Sequence, residues 1–336
     1  MEAFVLKCQA GSHFHFGEIS IDSDASLYDT STYLHSDTLY SALVNTLAKV
    51  YETATVNALR HHIDTGVLRF SSVFHCLERN GDFLYFLPKP THYQQYVDDD
   101  FKPYKRIKWI SKQVWESGIL PANWDQDCMV IDKKYLISKE EAKSFWGKTV
   151  DEMDKVQVVK KVTLPKVFVH KPSKKEGVFT VTNLEICRNE SCRVHFYFLL
   201  DADESFKASD DYGRLMMGFR LLADSGIGGE KSTGCGQIKG TEQIPFSLQI
   251  EKPVGQSVLS LSIPEDEAAF DKYQFYQTLT RGGRKYGEGK QLKFIKMIQE
   301  GAYVSSQVKG KCTIIGKKKD HEVIRSGMAF CVPVGG

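Results

Sequence analysis

The chain has 336 residues, 42% hydrophobic and 12% aromatic, enough for roughly two domains with sizeable cores and too apolar for a disordered or collagen-like protein. The longest apolar run, around His195 to Leu200, is far shorter than the roughly 20 residues of a membrane helix, and Glu2 stands where a signal peptide would be basic, so a soluble cytoplasmic protein is expected. The net charge of +2 hides an uneven distribution: residues 101–112, 155–175, 281–296 and 309–319 hold 23 basic residues against 1 acidic, which predicts cationic faces set apart from an acidic remainder.

Ala3 to Cys8 reads as a short strand leading to the loop His13-Phe-His-Phe-Gly17. Alternation there predicts that one pair, histidines or phenylalanines, is buried and the other faces outward. Ser36 or Asp37 caps a predicted helix running to about Thr53, with Leu39, Ala42, Leu43, Thr46 and Leu47 as its apolar stripe. Val67 to His75 and Phe83 to Leu87 read as strands around a turn in which Asn80-Gly81 signals a hairpin. From Pro88 to about Asp154, prolines, the acidic turn Asp98 to Asp100 and the basic aromatic run Phe101 to Trp109 predict an insertion outside the core. That run suits contact with nucleic acid or protein, or a plain surface strand.

Gln157 to Val169 and Val178 to Ile186 read as two arms of a hairpin whose tip carries Lys171, Lys174 and Lys175. Lys171 and Lys174 are expected to be more exposed than Lys166. Arg193 to Leu200 suits a central strand buried on both faces. Asp211 to Ala223 is helical by its spacing, with Leu215, Met216, Phe219 and Leu222 on one face.

Directly after that helix, Asp224 to Gln237 reads DSGIGGEKSTGCGQ, with glycines at 226, 228, 229, 234 and 236, before a strand predicted to begin in Cys235 to Lys239. A run of exposed backbone N–H groups flanked by Lys231 and Ser232 would accept phosphate oxygens. In nucleotide-binding enzymes the glycine loop follows a strand and opens a helix. Here the order is reversed and the spacing fits neither pattern, which argues against a nucleotide enzyme; a tight helix-to-strand connection is the bland reading. The eight cysteines contain no Cys-x-x-Cys pair and predict reduced thiols, while Cys187, Cys192 and His195 lack the second ligand pair of a structural zinc.

At this loop the sequence resembles the RAMP superfamily, the repeat-associated proteins of CRISPR effector complexes, whose hallmark is a glycine-rich loop between the last helix and last strand of a ferredoxin-like fold. FHFG at 14–17, HSDTLYSAL at 35–43, KEGVFTV at 175–181, GRLMMGFRLLADSGIGGEKSTGCGQI at 213–238, RGGRKYG at 281–287 and RSGMAFCVPV at 325–334 narrow the resemblance to the subunit at the foot of the type III-A (Csm) complex. Lys231 stands where the family prefers arginine, Cys235 where an aromatic is common, and the hairpin from Thr163 to Lys171 has no arginine.

The resemblance implies an α+β protein of two ferredoxin-like (RRM-like) domains with antiparallel sheets, a long insertion and a β-hairpin thumb. The first domain would span 1–242, with the insertion at about 88–185 and the glycine loop at 224–237; the second would span 243–336. It implies a non-catalytic subunit that binds the crRNA 5′ handle and bridges the large palm-domain (polymerase-cyclase-like) subunit to a backbone RAMP subunit in antiviral defence. No cofactor, metal, catalytic residue or membrane is expected. By position, Gly226, Gly228, Gly229, Lys231, Ser232, Gly234 and Gly236 would touch the handle backbone. Phe16, Gly17, His35 and Ser36 would border the same face, Arg281, Gly282, Gly283 and Arg284 would form a second glycine-basic loop, and Lys171 and Lys174 would arm the thumb.

Two sharper readings stand beside this one. His13, His15 or His35 could serve as the base of a metal-independent crRNA-processing endoribonuclease, as in processing relatives, although their glycine loop lies close to the C-terminus. Asp37 could bind a divalent metal, but helix capping explains it without chemistry.

Overall fold

The computed structural model describes residues 1–18, 29–97, 105–147, 153, 155–168, 177–283, 292–318 and 321–335. The first half is built on four strands and three helices: β1 (Glu2–Lys7), α1 (Ser36–Leu47), α2 (Thr53–Asp64), β2 (Phe74–Arg79), β3 (Arg193–Ala202), α3 (Asp210–Ser225) and β4 (Gly240–Pro245). The strands pair antiparallel in the order β4-β1-β3-β2. Phe4 of β1 stacks on Phe198 of β3 at 5.1 Å and meets Phe219 of α3 at 5.7 Å, which joins sheet to helix. Gly218 lets α3 approach α1, since a Cβ there would lie 2.7 Å from the Leu47 side chain.

Several boundaries depart from expectation. The helix predicted to reach Thr53 stops at Leu47, and a turn lets α2 restart so that Val56, Leu59 and Ile63 also face the core. The strand predicted over Val67 to His75 breaks into Leu68–Phe70 and β2. Between them the buried hydroxyls of Ser71 and Ser72 accept the N–H groups of Leu199 and Ser36, at 2.9 and 2.8 Å, and so replace ladder bonds. The strand expected from Cys235 starts only at Gly240, and its end at Pro245 passes the expected boundary at 242.

The predicted insertion is core instead. Strand Asp82–Pro88 extends the sheet through Trp109–Ser111 and Tyr135–Ser138 to Cys128–Ile131, making nine strands with Leu68–Phe70. All four tryptophans of the chain, Trp109, Trp115, Trp124 and Trp146, are buried there, and this apolar mass outweighs the local prolines and charges. Trp109 and Ile107 therefore belong to the interior rather than to a surface strand; Asp98 to Tyr104 lie outside the described residues.

Val159–Phe168 and Gly177–Ile186 form the expected hairpin, and His13–Phe14 pairs with its second arm. The second half carries β5 (Pro253–Val258), α4 (Glu267–Phe270), β6 (Tyr273–Phe275), β7 (Ala302–Val304) and β8 (Cys331–Gly335), antiparallel in the order β6-β7-β5-β8. Its helical layer is reduced to the four residues of α4 among the described residues, and the ribbon Thr313–Lys318/His321–Arg325 lies between β7 and β8 in the chain. Leu259, Phe330, Val332 and Val334 join the hydrophobic cluster of the first half, while Val258, Tyr273, Ile298, Ala302 and Val304 belong to a second, smaller cluster within the second half. The protein is thus a mixed α+β structure with several sheets.

All eight cysteines are free. No group of three metal-binding side chains occurs among the described residues, and no helix there is long and apolar enough to cross a membrane.

Candidate nucleic-acid interface

The glycine loop is stitched to the His13-Phe-His-Phe segment by backbone hydrogen bonds. The Gly229 N–H donates to the His15 carbonyl at 2.8 Å, the Gly236 N–H to the His13 carbonyl at 2.7 Å, and the Ile227 N–H to the Gly236 carbonyl at 2.9 Å. A Cβ on Gly228 would lie 2.6 Å from the His15 carbonyl oxygen, and Gly236, at φ +83°, has the Ile227 carbonyl against the place its Cβ would take. Only glycine fits both positions.

This changes the role expected of the loop. The N–H groups of Gly226 and Gly234 are also used, on Ala223 and Lys231 carbonyls at 3.1 Å each, so four of the five glycine donors close the loop on itself and its floor instead of facing a ligand. What faces outward is the tip: Gly229, Lys231, Ser232 and Gly234 are exposed, around the single turn Lys231–Thr233. The Lys231 ammonium donates to the Gly226 carbonyl at 3.2 Å, and burial, with the charge of Lys49, lowers its pKa.

The hairpin is strapped to this tip. Lys166 reaches Glu230 at 2.6 Å and Thr233 at 3.2 Å, and Glu230 takes a left-handed turn at φ +53° to meet it. On the same sheet Lys160 pairs with Glu185 and Lys161 with Asp29. Lys171 and Lys174 lie outside the described residues, as does Arg284.

The floor is apolar. Phe16 is only 4% exposed and packs on Phe196 at 5.6 Å and Phe14 at 5.8 Å, so it supports the loop and is closed to an RNA base. The expected alternation holds only in part. Both phenylalanines are buried, but so is His15, whose Nδ1 lies 2.9 Å from the Thr182 carbonyl of the hairpin; only His13 stays half-exposed. Gly17 is exposed and bridges to Thr30.

His35, Ser36 and Arg281 are placed elsewhere, in the seam between the two halves. Ser36 accepts the Leu261 N–H at 3.0 Å. Nδ1 of His35 lies 2.8 Å from Oε1 of Glu300, whose carboxylate also takes the Ser72 and Tyr33 hydroxyls. Burial by itself would raise the Glu300 carboxyl, but His35 and the Ser72 hydrogen bond leave it below its ordinary value. Arg281 donates from Nε and Nη2 to the two Asp37 oxygens at 2.9 and 3.1 Å, and Arg325 pairs with the same carboxylate and donates to the Gly282 carbonyl at 2.6 Å. Asp37 is therefore no cap: the helix begins after His35 without a side-chain cap, and the two guanidiniums overcome the burial that would raise its carboxyl and hold it well below the carboxylate range. Gly282 is buried and Gly283 half-buried beside Arg325.

His195 uses both ring nitrogens, one against the Cys8 N–H at 3.0 Å and one against Glu78 at 2.7 Å, which leaves none for a metal shared with Cys187 and Cys192.

Comparison with known proteins adds a family to this geometry. Residues 252–334 match the family model of the CRISPR Csm4 C-terminal domain. The Csm4 protein of Methanocaldococcus jannaschii is 24% identical over an alignment covering 91% of this chain and 80% of that one. The chain is thus similar to Csm4 along most of its length, and its last quarter matches the C-terminal domain of that family. Among solved structures, a Csm3–Csm4 subcomplex of a type III-A interference complex matches with TM-score 0.68, 21% identity and full coverage of both chains. A Csm1–Csm4 cassette bound to cA4 matches with TM-score 0.55 and 17% identity, over 99% of this chain and 96% of that one. At these identities the solved structures speak for the fold.

Sequence reasoning missed Lys166 and Glu230 as the strap, and Arg325 and Glu300 as anchors of the seam. Glu230 was visible as the one acid between the first and last glycines of the loop, and Arg325 as the first residue of the closing motif RSGMAFCVPV. Glu300 carried no local signal.

Proposed function

We propose that the chain is a non-catalytic, RNA-binding subunit of a type III-A CRISPR effector complex, working in the cytoplasm and holding the 5′ handle of crRNA on the tip of the glycine loop. The observation that carries this is the division of labour within the loop: Gly226, Gly228 and Gly236, with Phe16 beneath, build the frame, while Gly229, Lys231, Ser232 and Gly234 remain exposed. Such a tip offers one cation, one hydroxyl and close backbone approach, which suits phosphates and reads no base sequence. Gly17, Gly283, Arg284, Lys171 and Lys174 complete the proposed contact set. His35, Ser36, Arg281 and Gly282 we assign to holding the second glycine-basic loop against α1.

Both halves we read as ferredoxin-like. Numbered along the chain within each half, the strands follow the same order, 4-1-3-2, with the second half keeping the strands and nearly losing the helices. We draw the boundary after Pro245, where β4 ends. The partners proposed are a backbone RAMP subunit and the large palm-domain subunit, by analogy with the Csm3–Csm4 and Csm1–Csm4 assemblies. A processing nuclease is disfavoured because His15 and His35 are buried and Asp37 is held by two arginines.

The test is crosslinking with mass spectrometry on the tagged chain purified from cells. Short RNAs with a common 5′ end, crosslinked near Gly226 to Gly236, are the expected result. Protein recovered without RNA, or metal-free cleavage of repeat RNA that His15→Ala or His35→Ala abolishes, would overturn it.

A further inference from the structure

At the exposed tip of the glycine loop stands one acid, the half-buried Glu230. It lies between Gly229 and the pair Lys231 and Ser232, all three of them exposed and proposed above as phosphate contacts. A carboxylate in that place repels the same polyanion that its neighbours would attract.

The backbone there also departs from the rest of the loop. Positions 226, 228, 230, 234 and 236 all take positive φ. The other four are glycine; Glu230, at φ +53°, alone carries a side chain into the left-handed region, where such residues are uncommon and strained. Glycine would suit this backbone better, so what distinguishes the position is its carboxylate.

That carboxylate fills an anion position. Its Oε2 accepts from the Lys166 ammonium at 2.6 Å and from the Thr233 hydroxyl at 3.5 Å, and the ammonium lies 3.2 Å from the same hydroxyl. An ammonium and a hydroxyl converging on one oxygen are donors with which proteins hold nucleic-acid phosphates. The ion pair is partly exposed, so solvent screens it and its hold is weak. A ligand that brings several phosphates, and releases counterions as it binds, can replace one such carboxylate.

We propose that Glu230 is a resident substitute for phosphate: in the free chain its carboxylate occupies the position formed by Lys166 and Thr233, and RNA takes that position by displacing it. The exchange passes Lys166 from the loop to the RNA backbone, so that the hairpin is tied to the loop by Glu230 before binding and through the RNA afterwards. The inference rests on the RNA-binding reading above, to which it adds a competing internal anion and two masked contacts, Lys166 and Thr233. The plain alternative is a strap that persists unchanged in the complex.

The experiment is fluorescence anisotropy of the full chain with labelled repeat-derived single-stranded RNA, between about 50 and 200 mM salt. Glu230→Gln keeps the size of the side chain and removes its charge. It is expected to tighten binding roughly 2–5-fold, the scale of one partly exposed ion pair. Adding Lys166→Gln to that variant should weaken binding again by roughly the same factor and lower the log–log salt slope by about 0.7, one phosphate contact on a single strand. A strap without exchange gives the opposite pattern: Glu230→Gln binds no tighter than wild type, or Lys166→Gln has no effect once Glu230 is neutral, and either result refutes the proposal. If Lys231→Ala still weakens binding in that case, the handle-binding reading stands. Absence of RNA binding by the wild-type chain would refute both.

Discussion

Asp37 near the start of α1 and Arg281 at the end of strand Thr278–Arg281 form a buried bidentate ion pair, Nε to Oδ2 at 2.9 Å and Nη2 to Oδ1 at 3.1 Å, across 244 residues of sequence. Arg325 joins the same carboxylate, so one aspartate pairs with two arginines from the second half.

Removing that aspartate leaves two guanidiniums buried without their counter-charge. Asp37→Ala is expected to destabilise the chain by about 3–5 kcal/mol, read as a clear drop in Tm. Because the folded carboxyl titrates below its ordinary value, the contribution is complete above the unfolded value and is lost as pH falls through the folded one. A Tm unchanged in Asp37→Ala would refute the seam as a structural latch.

Gly236 and Gly234 both have positive φ, +83° and +89°, but only Gly236 has a carbonyl against its Cβ position. Gly234→Ala should cost about 1–2 kcal/mol of backbone strain and leave the loop in place. Gly236→Ala should cost more and detach the loop from His13, with loss of RNA binding. Equal effects on thermal melting and RNA affinity would contradict the assigned frame.

The Lys166–Glu230 strap is partly exposed, with side-chain accessibilities of 24% and 26%, so solvent screens it. Lys166→Ala is expected to change global stability by less than about 1 kcal/mol. Hydrogen exchange along Val159–Phe168 should nevertheless accelerate, because the variant frees the arm from the loop tip. Unchanged exchange would show that the strap does not hold the hairpin.

His75 is fully buried, with Nε2 2.8 Å from the Thr32 carbonyl, and burial pushes its pKa down to about 4. The unfolded chain takes up this proton first, near pH 6.5, so stability should fall as pH drops from about 6.5 to about 4, by roughly 3 kcal/mol from this group. Urea unfolding across that range should show the decline, shallower in His75→Gln. An equal pH slope in the variant would remove His75 as a source.

Much of the architecture was legible in one dimension. Asn80-Gly81 announced the hairpin between β2 and the next strand, the stripe Leu215, Met216, Phe219 and Leu222 announced α3, and five glycines after it announced the loop. These are short-range matters, set by turn chemistry and by spacing along one element. The tryptophan-rich segment was misread for the complementary reason: its prolines and charges are local signals, whereas the burial of Trp109, Trp115, Trp124 and Trp146 comes from strands and helices that meet only in the folded chain.

By itself, then, the sequence determined β1, α1, α3 and the Asn80-Gly81 turn, the position of the glycine loop and the presence of a lysine-bearing hairpin. Only the tertiary structure decided which polar groups remain free to act. His35, Ser36 and Arg281 look like ligand contacts in a motif, yet Glu300, Leu261 and Asp37 claim them. Four loop glycines that promised donors spend them on His13, His15, Ala223 and Lys231. The physical reason is that a buried donor or charge must find a partner, and for His35, Ser36, Arg281, Gly229 and Gly236 that partner is a neighbour in space more than 200 residues away along the chain.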